Sequence, residues 1–458
     1  MISSTLLLVL RWTLLAFFLL PAVEAAMMIL GASWAHFGYA QTPEKFQHLI
    51  IQITTVGKEP ELVQRTVDKI RSYNLTMPYE IWVAIEPDHF DKYTDVERVI
   101  VVPASYSCRA IDKARALEYT RRLRKRYLAT CGLDPARVKL LLVDDDTLPS
   151  HSYVRKAFAG DYDVCQGPTV PNRWYGTGGF KHFILSHIDN IRTRNCLVYC
   201  SCTQGITQKP LFVHGEGLCM TCRAESIVTW DKPIVASDDF VFGTTAAHKG
   251  LSWGYFQGAA IQLVSPWSFR EILKQRRRWT WGNFDAIRSR EIIPQAPAVF
   301  RGFKYCLTLA SIISCTTGVV LLGFGVVKVP LQACYVFWGS LVCWVASYGL
   351  TGWINSGGEP NRERLGPRNI ERDNYNNLLT YRLASFANLF RRARINYWTF
   401  RVFQTISAMV LAPITALTPI FVITYSVLKG RPTRFEVIAK SNSAMDRGSP
   451  TQPYVTIR

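Results

Sequence analysis

Three consecutive aspartates, Asp144, Asp145 and Asp146, follow a largely apolar run at residues 138–143 that is typical of a buried strand. Carboxylates crowded at a strand end repel one another unless they bind a cation. Oxygen ligands suit Mg2+ or Mn2+, and either ion also bridges to phosphate oxygens. We therefore interpret Asp144 and Asp146 as metal ligands, and Asp144 and Asp145 as binding residues for a nucleotide-sugar diphosphate. A solvated acidic turn is the alternative interpretation.

A second carboxylate pair, Asp238 and Asp239, precedes an apolar run at residues 240–247 that stops at Gly250. This pattern predicts a helix with an acidic N-terminus and a glycine stop. One carboxylate is enough to cap the helix. The other is then available as a general base for a sugar hydroxyl, so the pair is predicted to be catalytic. Capping alone is the alternative.

A third group of chemically capable residues lies on a predicted helix at residues 269–288, which Ser268 opens with capping-box spacing. Gln275, Arg278 and Trp279 stand at positions i, i+3 and i+4, so one helix face presents them together. Arginine neutralises a departing diphosphate, and tryptophan stacks on a sugar ring. The three are therefore predicted to bind the donor. A basic helix lying on a membrane surface is the alternative.

The order of strands and helices before these groups predicts an α/β domain. Strands are predicted at residues 48–55, 79–85, 99–102 and 138–143, and helices at 61–73 and 112–127. Such an alternation predicts a mostly parallel sheet covered by helices, with ligands bound beyond the carboxyl ends of the strands.

Several further polar residues are predicted at that same edge of the sheet. Thr55 and Glu86 follow the first two strands, as Asp144 follows the fourth, so the three are expected to share one crevice. Glu86 is suited to accept hydrogen bonds from a base or ribose, with a solvated loop acid as the alternative. Arg109 and Lys113, at the start of the basic helix, are placed to face phosphates.

The cysteines do not form a recognisable metal-binding pattern. The closest spacings are Cys196, Cys200 and Cys202, then Cys219 and Cys222, and neither set has a paired histidine at finger spacing. We expect free thiols in a reducing compartment. Residues 172–208 are predicted to be a loop with one helix at 180–192. Residues 211–217 are predicted to form a strand and turn in which His214 packs or forms hydrogen bonds rather than ligating metal.

The chain is strongly basic, with 53 lysines and arginines against 34 aspartates and glutamates and a net charge of +19. No basic run is interleaved with the glycines and aromatics of an RNA-binding sheet, so we do not expect a nucleic-acid partner. Much of the excess lies beside apolar segments, which indicates anionic lipid headgroups of a bilayer.

Apolar runs lie at both ends of the chain. Residues 6–23 are either a membrane anchor or a signal peptide, since residues 24–26 resemble a signal-peptidase site. Residues 305–327 and 331–353 predict a transmembrane hairpin, and 400–428 one kinked span or a re-entrant pair. The intervening arginine-rich stretch predicts a cytosolic amphipathic loop at 354–398. The basic tail, residues 429–458, is predicted to be disordered.

These motifs resemble glycosyltransferase family 2, and within it the membrane-bound group with a Gln-x-x-Arg-Trp motif. The resemblance implies that Asp144 and Asp146 carry the metal and the sugar diphosphate, and that Asp239 after Asp238 is the base. It also implies that donor and acceptor are bound by Gln275, Arg278 and Trp279. Residues 48–285 and part of the tail are similar to the egghead-type β-1,4-mannosyltransferases, whose pattern the turn at residues 214–217 does not follow.

The resemblance implies a GT-A (Rossmann-like) domain at residues 46–300, after a membrane segment at 1–30 and before a transmembrane region at 301–428 and a tail at 429–458. The expected activity is that of a membrane-bound inverting glycosyltransferase with its catalytic domain in the cytosol. The expected donor is GDP-mannose or a UDP-sugar, and the expected acceptor is a glycolipid or glycan. A processive polysaccharide synthase that uses a UDP-sugar is the second hypothesis, and a catalytically inactive membrane scaffold is the third.

Overall fold

We analysed a computed structural model of the 458-residue chain. The structure describes residues 4–57, 59–86, 93–171, 179–233, 236–263, 266, 268–288, 306, 313, 317–320, 324, 331–356 and 397–432. Side chains are described from residue 19 onward, with Trp12 before it and further gaps at 179–182, 287–288, 333 and 397.

The centre of the chain folds around a seven-stranded sheet with the order β3-β2-β1-β4-β8-β6-β9. Its strands are β1 (His48–Thr55), β2 (Tyr79–Ile85), β3 (Arg98–Val101), β4 (Val138–Asp144), β6 (Val164–Gln166), β8 (Cys219–Thr221) and β9 (Trp253–Tyr255). Strands β3, β2, β1 and β4 are parallel, and only β8 runs antiparallel to its neighbours. The predicted mostly parallel sheet is confirmed.

A smaller sheet completes the domain. It consists of β5 (Thr147–Pro149), β10 (Ala260–Gln262) and β7 (Thr169–Pro171), in that order. Strand β5 begins directly after the three aspartates, so these residues turn the chain from one sheet into the other. Leu263 N donates to the Asp146 carbonyl at 2.7 Å, which holds the turn against the strand that carries Gln262.

Helices cover both faces of the large sheet because its strands are apolar on both sides. Ile51 and Val143 pack beneath α2 (Pro60–Arg71) and α4 (His151–Ala159). Ile50 and Leu140 belong to the opposite core, under helices that include α3 (Asp112–Thr130). Two further helices cover that face, α7 (Cys222–Val228) and α8 (Asp238–His248).

A long helical segment leads from the domain toward the apolar helices. It contains α5 (Gly179–Ile188), α6 (Asn190–Asn195) and a π-helical stretch at Cys196–Ile206. The other helices are α1 (Ser4–Phe37), α9 (Phe269–Arg288), α10 (Leu331–Ser356), α11 (Tyr397–Val410) and α12 (Ala412–Lys429). A 3-10 turn, Pro43–Lys45, precedes β1.

Three of these helices are long and apolar enough to cross a membrane, namely Leu19–Phe37 within α1, Cys334–Ser356 within α10, and α12. The predicted N-terminal segment, residues 6–23, lies within α1, which continues through Glu24 to Phe37. The predicted hairpin's first arm, 305–327, lies mostly outside the described residues. Most of the loop at 354–398 and of the tail at 429–458 does so too.

Buried polar contacts tie two of these apolar helices to the domain. Glu24 of α1 accepts a hydrogen bond from Arg194 Nη2 at 2.6 Å, and Arg194 Nε donates to Ser347 Oγ of α10 at 2.8 Å. Asn355 Nδ2, near the end of α10, donates to Asn190 Oδ1 at 2.7 Å. An ionisable group in an apolar helix is costly unless it is paired, so Glu24 fixes α1 against α6.

Two sequence-based predictions about local structure are wrong. Residues 211–217 form no strand, because Gly217 adopts φ of 75° and the chain turns before β8 begins. The helix predicted at 180–192 is present as α5 and α6, but the loop predicted after it, up to residue 208, is helical through Ile206. The π-helical stretch packs against α1, and this contact stabilises it as a helix. The local sequence pattern does not contain information about a contact between segments so far apart in the chain.

Candidate active site

Lys113, at the N-terminal end of α3, joins the two carboxylate groups predicted from sequence. Its ammonium forms an ion pair with Asp144. Burial opposes the charge on Lys113, but the negative charges of Asp144, Asp238 and Asp239 outweigh burial and raise its pKa. Aspartates distant in sequence therefore meet around one half-buried cation at the carboxyl end of β4.

Asp144 is itself in an unusual electrostatic environment. Burial, together with the negative charges of Glu216 and Asp146, raises the pKa of its carboxyl to about 6, although Lys113 acts in the opposite direction. A carboxylate held among other carboxylates is stabilised by additional positive charge. The end of β4 therefore carries several carboxylates close together.

The neighbouring strand end supplies a hydroxyl to the same turn. Thr55 Oγ1, at the end of β1, donates to Asp145 Oδ2 at 3.2 Å and accepts from Gly57 N at 3.0 Å. Strands β1 and β4 are adjacent and parallel, and Thr54 pairs with Asp144 in register. The pairing explains why Thr55 and Asp145 meet, as expected from their positions at strand ends.

Asp146 is buried and connects to a layer of polar side chains beneath the turn. It accepts from Gln262 Nε2 at 3.3 Å, and Gln262 Oε1 accepts in turn from Arg192 Nη1 at 2.5 Å. Arg192 also forms a buried ion pair with Glu216. Burial disfavours the charge of Glu216, but Arg192 and His214 lower its pKa to about 2. Arg192 and Glu216 were not predicted as site residues.

Helix α9 places an indole against this layer. The guanidinium of Arg192 lies 5.2 Å from the centre of the Trp279 ring, and that of Arg276 lies 5.4 Å from it. Gln275 is buried, and its Oε1 atom has no hydrogen-bond partner among the described residues. Arg278, on the same helix, is half-buried. The helix thus presents aromatic, amide and cationic groups near the carboxylates.

Two other residues of α9 bind the last apolar helix. Arg277 donates to the carbonyl of Lys429 at 3.1 Å and to that of Gly430 at 2.8 Å, which satisfies the C-terminal end of α12. Trp281 Nε1 donates to the Ser426 carbonyl at 3.2 Å. The helix that carries Gln275 and Trp279 is therefore attached to a candidate membrane span.

Asp238 and Asp239 begin α8, as predicted, after a residue with unusual backbone geometry. Ser237 has φ of 65°, in the left-handed region, and makes no side-chain cap. Asp239 Oδ1 accepts from the amide of Phe240 at 2.8 Å. Gly282 of α9 packs so closely on this bend that an added Cβ would lie 2.6 Å from Ser237 Oγ and 2.9 Å from the Ala236 carbonyl oxygen.

Two predicted residues make protein contacts away from this group. Glu86 forms an ion pair with Arg115 at 3.0 Å, and Arg115 Nε also donates to the Tyr106 carbonyl. The Arg109 amide donates to Asp231 Oδ1 at 2.7 Å, and its guanidinium donates to the Asp231 carbonyl. Arg109 therefore anchors the loop before α3, and Glu86 remains on the β2 side of the crevice.

His214 lies beside two of the cysteines, which sequence spacing did not indicate. Its Nε2 is 3.3 Å from Cys196 Sγ, and Cys200 Sγ completes a group whose ligand atoms all lie within 4.8 Å of one another. A hydrogen bond from Cys200 and the charge of His214 lower the pKa of Cys196 despite burial. The next residue, Gly215, borders the crevice, where an added Cβ would lie 2.9 Å from Lys113 Nζ.

Part of this chain matches a known protein family. Residues 139–347 match the family model described as glycosyl transferase family group 2. The match spans somewhat less than half of the chain, and this part of the chain resembles that family. The matched residues run from β4 into α10, and they include the aspartate turn, the start of α8 and helix α9. The α/β class and the resemblance inferred from sequence are both confirmed.

Two similar proteins are mannosyltransferases by name. The β-1,4-mannosyltransferase egh of Drosophila melanogaster is 24% identical over 263 residues, which are 53% of this chain and 54% of that protein. The chain thus matches about half the length of this relative. The solved mannosyltransferase PcManGT from Pyrobaculum calidifontis, in complex with GDP-Man and Mn2+, covers 87% of this chain and 98% of its own, at 14% identity and a TM-score of 0.39.

Proposed function

We propose that this protein is a membrane-bound inverting glycosyltransferase that transfers a hexose from a nucleoside diphosphate sugar to a glycolipid or glycan. The observation that carries the proposal is the meeting of Asp144, Asp238 and Asp239 around the half-buried ammonium of Lys113. A family 2 domain supplies the reaction class. The carboxylate arrangement supplies the groups that the reaction needs.

Asp239 is the proposed catalytic base. Its carboxylate takes the proton of the acceptor hydroxyl, whose oxygen bonds to the anomeric carbon as the bond from that carbon to the phosphate oxygen breaks. The electron pair of that bond leaves with the nucleoside diphosphate. One displacement inverts the anomeric configuration. Asp238, on the same first turn of α8, is proposed to position this base.

The residues at the end of β4 fit a divalent cation. Asp146 is close enough to Asp144 for its negative charge to raise the pKa of Asp144. Carboxylate oxygens are the ligands that Mg2+ and Mn2+ prefer. When bound, such an ion neutralises the diphosphate of the donor. Lys113, already paired with Asp144, would add positive charge beside it. Thr55 and Asp145 would fix the shape of this turn.

Helix α9 is proposed to bind the transferred sugar and the leaving group. Trp279 offers a flat apolar face for a sugar ring, and Arg278 offers a planar cation for phosphate oxygens. Gln275 Oε1, which has no partner among the described residues, is available to accept from a sugar hydroxyl. Glu86 is proposed to accept hydrogen bonds from the nucleoside on the β2 side of the crevice.

Mannose from GDP-mannose, in β-linkage, is the specific donor and product that we propose. The support is that the Drosophila relative is named a β-1,4-mannosyltransferase and aligns across 263 residues. At 24% identity the relative leaves the sugar to experiment. The acceptor is proposed to be a lipid-linked sugar, because α9 is bound to the candidate membrane span α12.

We further propose a multi-pass topology in which a catalytic domain at residues 46–300 faces the cytosol. The sequon at Asn74 tests this orientation. Asn74 is exposed in a turn after α2, with φ of 49°, so a luminal domain would expose it to glycosylation. Expression in eukaryotic cells followed by glycosidase treatment should leave the mobility of the chain unchanged. A glycosidase-dependent shift would place the domain in the lumen.

The defining experiment is a panel of nucleotide sugars given to the purified protein in lipid, with Mg2+ or Mn2+. We expect GDP-mannose to be consumed and a single mannose to appear on a lipid-linked acceptor. The matched control is Asp239→Asn, which keeps the size of the side chain. Consumption of a UDP-sugar with a long product would instead support a processive synthase. No consumption of any nucleotide sugar, with folded protein and either metal, would refute the proposal.

A further inference from the structure

A second group of metal-binding side chains lies outside the carboxylate crevice. Cys196 and Cys200 are four residues apart in a helical stretch, which puts both thiols on one face, and His214 approaches from the turn before β8. All three residues are buried or half-buried. Their ligand atoms lie within 4.8 Å of one another. Thiols and imidazole are the ligands that suit zinc, whereas Mg2+ prefers the oxygens of the crevice.

The distances fit a tetrahedral ion. Zinc binds sulfur at about 2.3 Å and imidazole nitrogen at about 2.0 Å, so tetrahedral geometry places these atoms roughly 3.5 Å apart. Cys196 Sγ and His214 Nε2 are 3.3 Å apart. Cys200 Sγ, within 4.8 Å of both, needs at most a small movement toward them.

The imidazole of His214 is held by its second nitrogen. Nδ1 lies 2.9 Å from Thr169 Oγ1, 3.0 Å from Gln166 Nε2 and 3.1 Å from the Glu216 carbonyl oxygen. An Nδ1 proton donated to that carbonyl leaves the Nε2 lone pair directed at Cys196. Metal-bound histidines in proteins are oriented in this way by a carbonyl or carboxylate behind the ring.

A buried hydroxyl next to the thiols has no partner. Tyr255 is 2% exposed, and its hydroxyl makes no hydrogen bond to the described residues. Tyr255 belongs to the same buried cluster as Cys196 and Cys200. An unpaired buried hydroxyl costs about 1–3 kcal/mol. A water molecule in the fourth position of a metal site would satisfy it.

We propose that Cys196, Cys200 and His214 bind one zinc ion, with a water molecule beside Tyr255 as the fourth ligand. The ion would fasten the turn at residues 214–217 to the π-helical stretch. Gly215 in this turn borders Lys113, and Glu216 pairs with Arg192. The zinc would therefore position the polar layer under the crevice without taking part in sugar transfer. The proposal does not depend on the identity of the sugar.

Metal content tests this site directly. The full-length protein, purified under reducing conditions and washed with a weak chelator, should contain about one equivalent of zinc by elemental analysis. Cys196→Ser, Cys200→Ser and His214→Asn should each lose most of it. Cys202→Ser is the matched control, since Cys202 is a buried thiol of the same stretch that donates to the Met27 carbonyl at 2.9 Å. This control should keep its zinc.

A second variant separates the two metal sites. The Asp144→Asn variant should retain zinc and lose Mn2+ binding. The Cys200→Ser variant, in protein that remains folded, should lose zinc and retain Mn2+ binding. Co2+ added to the metal-free wild-type protein should give thiolate-to-cobalt charge-transfer absorption, which needs no variant. Absence of zinc together with absence of this absorption would overturn the proposal. A Cys196–Cys200 disulfide found by mass analysis of the reduced preparation would overturn it as well.

Discussion

Two charge clusters each contain one residue of α3, and their composition differs. In one, Arg124 Nη2 lies 2.6 Å from Glu225 Oε1, while Arg124 Nη1 donates to Gln52 Oε1 at 2.6 Å. Trp230 Nε1 also donates to Glu225 at 2.9 Å. In the other, Lys113 pairs with Asp144 while Asp238 and Asp239 also act on it.

The two clusters differ in their balance of positive and negative side chains, and this balance indicates the role of each. Arg124 and Glu225 match in charge and geometry, so the pair is complete without any ligand. Around Lys113, carboxylates outnumber cations among the residues the structure describes. Excess negative charge held in a crevice favours an added cation and the phosphates that come with it. The first cluster organises the core, and the second is suited to bind a substrate.

The largest expected effect comes from Asp239→Asn in the second cluster. Sugar transfer should fall about 10²–10⁴-fold, because the acceptor hydroxyl loses its base. Nucleotide binding, measured by calorimetry with Mn2+, should change little. Loss of nucleotide binding together with activity would assign Asp239 to the donor site and break the proposed division of roles.

The matching test in the first cluster is Glu225→Leu. Removing one partner leaves the Arg124 charge buried, which should cost about 3–5 kcal/mol of unfolding free energy. The midpoint of thermal unfolding in detergent should fall by about 10 °C. The double variant Arg124→Met with Glu225→Leu should recover most of the loss. A single variant as stable as wild type would show that the pair is not structural.

An intermediate effect is expected from Gly282→Ala, which moves the catalytic bend without altering a charge. The new Cβ would meet Ser237 Oγ at 2.6 Å, so the segment before Asp238 must shift. A displacement of this size should lower transfer about 10²-fold while stability changes less. Gly339→Ala is the control, because an added Cβ there meets no atom within 4 Å. Equal activity of both variants would show that the bend tolerates movement.

The smallest effect is expected at Lys232, whose pKa is lowered by its surroundings, whereas that of Lys113 is raised. Burial lowers the pKa of Lys232 to about 8, and Lys249 and Arg109 act in the same direction. Between about pH 8 and the ordinary lysine pKa near 10.4, the unfolded chain binds more protons, so stability rises with pH. Lys232→Met should remove this slope and raise the unfolding midpoint at pH 7 by a few degrees. An unchanged slope would contradict the assignment to Lys232.

The sequence predicted the elements that obey local rules. Strands at residues 48–55 and 79–85 and the helix at 269–288 were predicted with the bounds the structure has, because periodicity and capping residues define them. The meeting of Thr55 with the aspartate turn followed from strand-end geometry in a parallel sheet. The resemblance to glycosyltransferase family 2, and not this geometry, implied that Asp144 and Asp239 share one site. Their catalytic roles remain predictions.

The sequence missed contacts made between distant segments. The helical stretch at residues 196–206 reads as loop by composition, and it packs on α1, which comes far earlier in the chain. For the same reason, Arg192 and Glu216 looked like isolated charges, although they pair with each other. His214 and the cysteines do not have the spacing of a zinc finger. They meet only in the folded chain, where the residues before the turn at Gly217 lie against the π-helical stretch.

The bonds from Arg277 to the last carbonyls of α12 have a mechanical consequence. Because the same helix carries Trp279, we expect any tilt that hydrophobic mismatch imposes on α12, a candidate span, to reach the proposed sugar-binding face. We expect turnover to vary with the acyl-chain length of the host lipid, even for a water-soluble acceptor. Removing that guanidinium would uncouple the catalytic machinery from the thickness of its bilayer.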